Sequence, residues 1–211
     1  MNALTTEFLG EIGIVRADIT PPVGINARNW GAAIHDVAEG VHRPLTATVL
    51  AVSTADDPAP LVLIAADLGW WKSRDDEGFV RGAILEACGL DPARLLLSFS
   101  HTHAGPNLYR EEHAKPGGDK IGPYLETLRA RLTAAAREAL ASRQPARLSW
   151  RYGRCDLAQN RDLPRPAESR HIVGWNPAEP ADDTLLVGRV IAADSGRALA
   201  TLVNYACHPT P

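Results

Sequence analysis

Two histidines separated by one residue stand at the end of an apolar run, and their type and spacing suit them to chemistry. Residues 98–106 read Ser-Phe-Ser-His-Thr-His-Ala-Gly-Pro and directly follow three leucines at 95–97. Side chains two apart on an extended segment point to the same side, so His101 and His103 are expected to face one site. Imidazole is the commonest metal ligand and the usual general acid or base near neutral pH. The pair therefore predicts a metal-binding or catalytic site; the alternative is one packed and one solvated histidine.

A third histidine, His208, follows the apolar segment near the end of the chain. Ligands of open α/β sheets gather at the carboxyl ends of strands, so His208 is a candidate to join the first pair. Read alone, a histidine in this position caps a turn. The neighbouring Cys207 could also bind zinc, but adjacent strand residues face opposite sides, which favours a buried packing role for it.

Two imidazoles do not complete a zinc site. Structural zinc takes four protein ligands, whereas catalytic zinc takes three and leaves one position for water. Asp67, which ends the apolar run at 61–66, could accept the N–H of a ligating histidine or could cap the helix that follows. His42 is a further candidate ligand, although both His42 and His35 fit surface or structural positions.

An arginine in a loop is a candidate for binding the substrate. Arg161 lies near the start of the second of two long irregular segments, residues 105–120 and 158–183. Loops of this length in compact domains are usually binding loops or disordered. A loop arginine is usually solvated, but a guanidinium directed into a site would stabilise a substrate oxygen that gains charge. No nucleophile elbow, P-loop or dinucleotide-binding fingerprint is present.

The elements that must position these residues alternate between strands and helices. The order strand, helix, strand over residues 61–100 predicts a right-handed βαβ unit with parallel strands. Residues 25–40 have no hydrophobic period and are predicted to form a loop. The pattern predicts an α/β fold, a mixed sheet with covering helices. Predicted strands span residues 8–18, 45–53, 61–66, 95–100, 147–157, 185–192 and 198–205, and predicted helices span 75–88 and 123–142.

Composition narrows the class of protein. The chain has 211 residues, of which 45% are hydrophobic and 22% charged, which is ordinary for one globular domain. A net charge of −3 without a basic patch argues against a nucleic-acid partner. Three widely spaced cysteines argue against a disulfide framework and for a reducing compartment. Neither a signal peptide nor a membrane span is predicted, so the chain as written is expected to be cytoplasmic, or secreted if a leader precedes it.

Taken together, these pieces resemble the neutral/alkaline (non-lysosomal) ceramidase family, whose members are zinc-dependent amidases that release a fatty acid from ceramide. The central segment is similar to the family signature T-H-T-H-S-G-P, with Ser100 in place of the first threonine and Ala104 in place of the serine. The segments that carry the resemblance are residues 13–24, 40–45, 65–69, 100–106, 160–161, 183–185 and 204–210.

The resemblance implies roles for four residues. His101 and His208 would be zinc ligands, His103 a catalytic histidine beside them, and Arg161 a residue that positions the substrate. Family members complete the zinc shell with a glutamate and a tyrosine further downstream, where a serine implicated in catalysis also lies. The resemblance thus implies that residues 1–211 are the N-terminal portion of a single ceramidase-like catalytic domain, with an incomplete sheet. This portion by itself is expected to be inactive.

The implied function is zinc-dependent hydrolysis of an N-acyl amide bond, with ceramide as the leading substrate. A small-molecule or lipid amide would be the partner, reached at a membrane surface in the lipid case. The alternative is a non-catalytic lipid-binding module or a pseudoenzyme. A barrel amidohydrolase, in which an H-x-H pair ends the first strand, is disfavoured because at least three predicted strands precede His101.

Overall fold

The computed structural model describes residues 6–208, and these form a mixed α/β fold as predicted. The helices are α1 (Arg74–Cys88) and α2 (Ile121–Ala141). The strands are β1 (Thr6–Asp18), β2 (Thr46–Ser53), β3 (Leu61–Ala66), β4 (Leu95–Phe99), β5 (Gln144–Arg154), β6 (Asp162–Arg165), β7 (Arg170–Val173), β8 (Thr184–Ala192) and β9 (Ala198–Tyr205).

Seven of these strands form one mixed sheet in the order β4-β3-β2-β1-β5-β8-β9. Strands β3 and β4 are parallel and are joined through α1, which confirms the predicted βαβ unit. The pairs β1–β2, β2–β3, β5–β8 and β8–β9 are antiparallel. The parallel pair matters for function because the carboxyl end of β4 leads directly into the two histidines.

The described chain forms two compact units, one of residues 10–145 and one of residues 6–9 with 146–208. The first unit holds most of the core, with α1, α2 and β2–β4 as its main elements. Its longest helix, α2, buries an apolar stripe at helical spacing. The fully or almost fully buried residues of that stripe are Ile121, Tyr124, Leu125, Leu128, Leu132, Ala135, Ala136 and Ala139.

Close packing of α2 on β1 depends on a glycine. A Cβ built on Gly13 would lie 1.9 Å from the carbonyl oxygen of Ala139, a distance that no side chain tolerates. At the other end of the helix, the buried Tyr124 hydroxyl donates a hydrogen bond of 2.6 Å to the carbonyl of Ile19. Burial raises the pKa of Tyr124, which keeps this donor protonated.

Helix α1 has a capping residue at each end. Ser73 accepts hydrogen bonds from the N–H groups of Asp75 and Asp76 at the N-terminus, and Gly89 adopts a left-handed conformation (φ 60°) at the C-terminus. Asp76 is buried and forms an ion pair of 2.5 Å with Arg110. This pair connects α1 to the segment that follows the histidines.

The second unit contains a strand pair that the sequence analysis assigned to a loop. Residues 158–183 were expected to be irregular, but β6 and β7 pair in antiparallel register within them. The pair has few apolar residues and contains Pro164, which cannot donate to a ladder and is compatible only with an edge position. Strand β5 begins at Gln144, three residues before the predicted start at 147. The sequence analysis missed this start because Pro145 is the second residue of the strand.

Two further expectations concern disulfide bonds and membrane-spanning helices. The cysteines at 88, 155 and 207 are all free thiols, which confirms that no disulfide framework exists among them. Within residues 6–208, no helix is long and apolar enough to cross a membrane. The expectation that the chain is part of one catalytic domain stays a prediction.

Candidate metal centre

His101, His103 and His208 form the group best able to hold a metal ion. One ring nitrogen from each lies within 4.8 Å of the others. His101 and His103 are half-buried, and His208 is exposed. The rings of the first two are 5.1 Å apart between centroids and nearly perpendicular, at 89°. In the sequence, each of these histidines follows a predicted strand, which made all three candidates for one site.

The first two histidines converge by a route that differs from the predicted one. Strand β4 ends at Phe99, so His101 does not stand on an extended segment. Its φ of 59° lies in the left-handed region, which side-chain-bearing residues seldom adopt. The sequence analysis predicted that both rings face one site because the segment is extended. That reason is wrong, since the chain turns at His101. A turn at His101, directly after the strand, sets the direction of its ring.

His103 is oriented by a main-chain hydrogen bond that the sequence analysis missed. Its Nδ1 lies 2.7 Å from the carbonyl oxygen of Asn29, and a carbonyl can only accept, so Nδ1 carries the proton. In the neutral ring the lone pair then belongs to Nε2, the atom that would bind a metal or take up a proton. The buried Asn29 side chain also donates to the Gly105 carbonyl at 2.9 Å. No sequence signal marked Asn29, which lies in the predicted loop at 25–40.

Trp70 packs against both histidine rings. Its ring centroid is 5.1 Å from that of His101 and 5.3 Å from that of His103. The segment after β3 comes close enough because the Thr102 N–H donates to the Leu68 carbonyl at 3.3 Å. A Cβ on Gly69 would already be 3.1 Å from the Thr102 carbonyl oxygen, so this position favours glycine. The indole therefore forms an apolar wall beside both rings.

His208 follows β9, whose end is fixed by Tyr205. The Tyr205 hydroxyl donates to the Cys155 carbonyl at 2.9 Å and accepts from the Ala158 N–H at 2.7 Å. Burial raises the pKa of this phenol, so it remains a donor. Cys207 is exposed, so the expected buried packing role is wrong: β9 has already ended at Tyr205. The last residues of the motif, 209–210, lie outside the described residues.

The other candidates occupy different places. Arg161 is half-buried directly before β6, and its carbonyl accepts a hydrogen bond of 2.9 Å from the Gly174 N–H. Asp67 does not cap α1, which Ser73 caps; its carboxylate accepts bonds of 3.1 and 3.0 Å from the N–H and hydroxyl of Thr46. His42 is exposed. Nδ1 of His35 lies 3.1 Å from a carboxylate oxygen of Glu39 at the surface, in agreement with the predicted surface position.

The donor set fits a zinc ion. Two zinc–nitrogen bonds of about 2.0–2.1 Å span at most about 4 Å, so the widest pair within the 4.8 Å limit needs to close by less than about 1 Å. Side-chain rotation supplies movements of that size. Three imidazoles are also the ligands of a known class of catalytic zinc sites, with a fourth position for water. The three histidines are therefore a possible metal group.

Comparison with solved structures identifies the fold. The chain matches a structure described as ceramidase complexed with C2, with a TM-score of 0.70, 20% identity and coverage of 95% of this chain. It also matches neutral ceramidase from Pseudomonas aeruginosa, with a TM-score of 0.73, 19% identity and the same coverage. The match spans only 31% and 32% of those two chains. No protein-family model and no curated protein matches the sequence.

These matches define a class of fold. Residues 6–208 have the α/β architecture of one part of neutral ceramidase, which confirms at the level of fold the resemblance found in the sequence motifs. The chain spans about a third of the length of those proteins.

Proposed function

We propose that this chain is the histidine-bearing part of a zinc-dependent amidase that hydrolyses N-acyl amide bonds, with ceramide-like lipids as the leading substrate class. The observation that carries the proposal is the convergence of ring nitrogens from three histidines within 4.8 Å. The ceramidase fold supports it, because the comparison structures are described as ceramidases.

Each residue has a distinct task in this proposal. His101 and His208 hold the metal, which when bound polarises the amide carbonyl and lowers the pKa of a water molecule towards about 7. Nε2 of His103 takes a proton from the attacking water, since Nδ1 already donates to Asn29. The Arg161 guanidinium stabilises the negative charge that develops on the carbonyl oxygen. Water adds to the acyl carbon, His103 passes the proton that it took from this water to the amide nitrogen, the C–N bond breaks, and a carboxylic acid and an amine leave.

Metal content tests the ligand assignment. The complete enzyme that this chain is proposed to belong to should bind about one zinc per chain, and His101→Ala or His208→Ala should weaken zinc binding at least about 100-fold, because each removes a direct ligand. His35→Ala is the matched control, since His35 is an exposed histidine outside the group. Stoichiometric zinc in a His101→Ala/His208→Ala double variant would refute the assignment.

Turnover separates His103 from the ligands. In the complete enzyme that this chain is proposed to belong to, hydrolysis of a panel of N-acyl amides should fall about 10²–10⁴-fold in kcat on His103→Ala, while zinc content stays near that of the unmodified enzyme. Loss of zinc in His103→Ala would instead make His103 a third ligand. Stoichiometric zinc binding without hydrolysis of any amide in the panel would favour the non-catalytic alternative.

A further inference from the structure

A cleft of about 660 Å³ lies between helices α1 and α2, and none of its lining residues belongs to the candidate metal centre. Small side chains on both helices leave this space open. They are Ala83 and Ala87 on α1 and Ala130 and Ala134 on α2, one turn apart on each helix. The polar residues of the lining are Glu86 on α1 and Arg129, Thr133 and Arg137 on α2. The cleft therefore offers several hydrogen-bond donors to a ligand.

The three polar residues of α2 share one face of the helix. Arg129, Thr133 and Arg137 follow one another at intervals of four residues, which places them in a row. Thr133 is in the middle, with each arginine about 6 Å from it along the helix axis. An arginine can lay its aliphatic stem along apolar surface while its charged head reaches further, so both guanidiniums can approach one group held above Thr133.

Arg129 is held in position by two contacts. Its guanidinium carbon lies 4.5 Å from the centre of the Phe79 ring, and its Nη2 lies 3.0 Å from a carboxylate oxygen of Glu126. A guanidinium has five N–H donors, so these contacts leave donors for a ligand. A group that its surroundings already orient loses less conformational freedom on binding. Arg129 is thus a pre-organised part of the cleft.

Arg137 gives the cleft an excess of positive charge. Its side chain is exposed, and it has no ion-pair or hydrogen-bond partner among residues 6–208. Glu86 is the only acidic residue of the lining, and within the described chain it forms no ion pair with either arginine. Two guanidiniums and one carboxylate give the lining a net positive charge. The cleft therefore favours an anion as its ligand.

Thr133 has a hydroxyl group whose hydrogen bonds are not made within the described residues. Its Oγ1 is buried and has no partner there, which is unfavourable. In contrast, the Thr127 hydroxyl of the same helix donates to the Pro123 carbonyl, four residues back, at 3.0 Å. Threonine in a helix adopts two rotamers that differ by about 120°. Rotation from one to the other is sufficient to turn the Thr133 hydroxyl towards an acceptor in the cleft.

We propose that this cleft binds a small molecule through a phosphate monoester group, which lies above Thr133 and between Arg129 and Arg137. The three terminal oxygens of the phosphate match donors from three directions, namely the hydroxyl and the two guanidiniums, and an arginine fork fits two phosphate oxygens. A carboxylate has two oxygens and a single charge, so it uses fewer of these donors. The alanine-lined remainder of the cleft accommodates the organic part. The proposal does not depend on amide hydrolysis.

Direct binding tests the site, with glycerol 3-phosphate as the probe and glycerate as its carboxylate counterpart. In calorimetric titrations of the full chain at about pH 7.5 and constant ionic strength, the phosphate should bind saturably and at least about 10-fold more tightly than glycerate, because it is a dianion above its second pKa of about 6. Arg137→Gln should weaken phosphate binding at least about 10-fold. Arg151→Gln is the matched control, since Arg151 is an exposed arginine on β5 outside the lining, and it should not change binding.

Thr133→Val separates a ligand-binding hydroxyl from a purely structural one. Without the probe, the variant should have a higher thermal midpoint than the unmodified protein, because a buried polar group without a partner is removed. Its affinity for glycerol 3-phosphate should be about 10-fold lower, because a hydrogen bond to a charged group is lost. A fixed concentration of the probe should therefore raise the midpoint of the unmodified protein more than that of the variant.

The charge of the lining gives a third readout. Glu86→Gln should tighten glycerol 3-phosphate binding about 3-fold or more, because it removes the negative charge of the cleft. The proposal would be overturned by the absence of saturable glycerol 3-phosphate binding, or by equal effects of Arg137→Gln and Arg151→Gln in folded variants. A lower thermal midpoint with unchanged affinity in Thr133→Val would overturn it as well. None of these measurements involves the three histidines, so their outcome is separate from that of the amidase proposal.

Discussion

At the scale of single residues, the candidate site depends on the backbone conformation of His101. A φ of 59° is unfavourable for a residue with a Cβ by about 1–2 kcal/mol. Such conformations persist where the surrounding structure imposes them, and they cluster at functional sites. Here the conformation turns the chain directly after β4 and brings the His101 ring against Trp70 and His103. The turn that orients the His101 ring thus lowers the conformational stability of the backbone at this position.

Two substitutions at this position measure the strain. His101→Gly and His101→Ala both remove the imidazole, but only glycine adopts the left-handed conformation without a steric penalty. We expect the glycine variant to be more stable than the alanine variant by about 1 kcal/mol in the free energy of unfolding by urea. An alanine variant as stable as the glycine variant would contradict strain at His101.

At the scale of elements, the site is supported by close contact between the helices and the sheet of residues 10–145. Gly13 on β1 allows α2 to pack so closely that the Ala139 carbonyl would be 1.9 Å from an added Cβ. In contrast, an added Cβ on Gly78 in α1 would meet nothing within 4 Å. The same change from glycine to alanine should therefore change the free energy of unfolding in opposite directions in β1 and α1.

Gly13→Ala should lower the free energy of unfolding by about 1–3 kcal/mol, because the helix must shift away from the strand. Gly78→Ala, an exposed helical position, should raise it by about 0.5–1 kcal/mol, because alanine loses less conformational entropy in a helix. Chemical denaturation of both variants checks the pair. Equal effects of the same sign would show that α2 does not pack on β1 as described.

At the scale of the whole molecule, buried apolar side chains are unevenly distributed along the described chain. The main cluster lies in residues 19–139, whereas β6 and β7 contain no fully buried residue. Local stability follows such burial, since segments with few buried contacts open at low free energy. The unit of residues 10–145 therefore supplies a rigid base for His101 and His103.

Amide hydrogen exchange should reflect this distribution. The N–H groups of β2, β3 and α2 should exchange at least about 100-fold more slowly than those of β6 and β7, because their opening requires disruption of the main core. Mass spectrometry of the exchanged protein checks the prediction segment by segment. Protection of β6 and β7 equal to that of β2 would contradict it.

The sequence by itself predicted the features that depend on local chemistry. The apolar runs of β2, β3 and β4 and the stripe of α2 follow from residue type and period. The predicted end of β4, at residue 100, lies one position beyond its observed end at Phe99. The histidine spacing and the flanking motifs also indicated the ceramidase fold. Each of these signals is read from a short segment of the sequence.

Tertiary structure alone decided how the candidate site is assembled. The bond from His103 to Asn29 and the packing of Trp70 each join residues that are distant along the chain. Neither of them has a period or a motif, because a main-chain carbonyl or a packing contact can be supplied by almost any residue type. The left-handed turn at His101 was missed for a related reason: surrounding contacts, rather than the local preference of histidine, impose it.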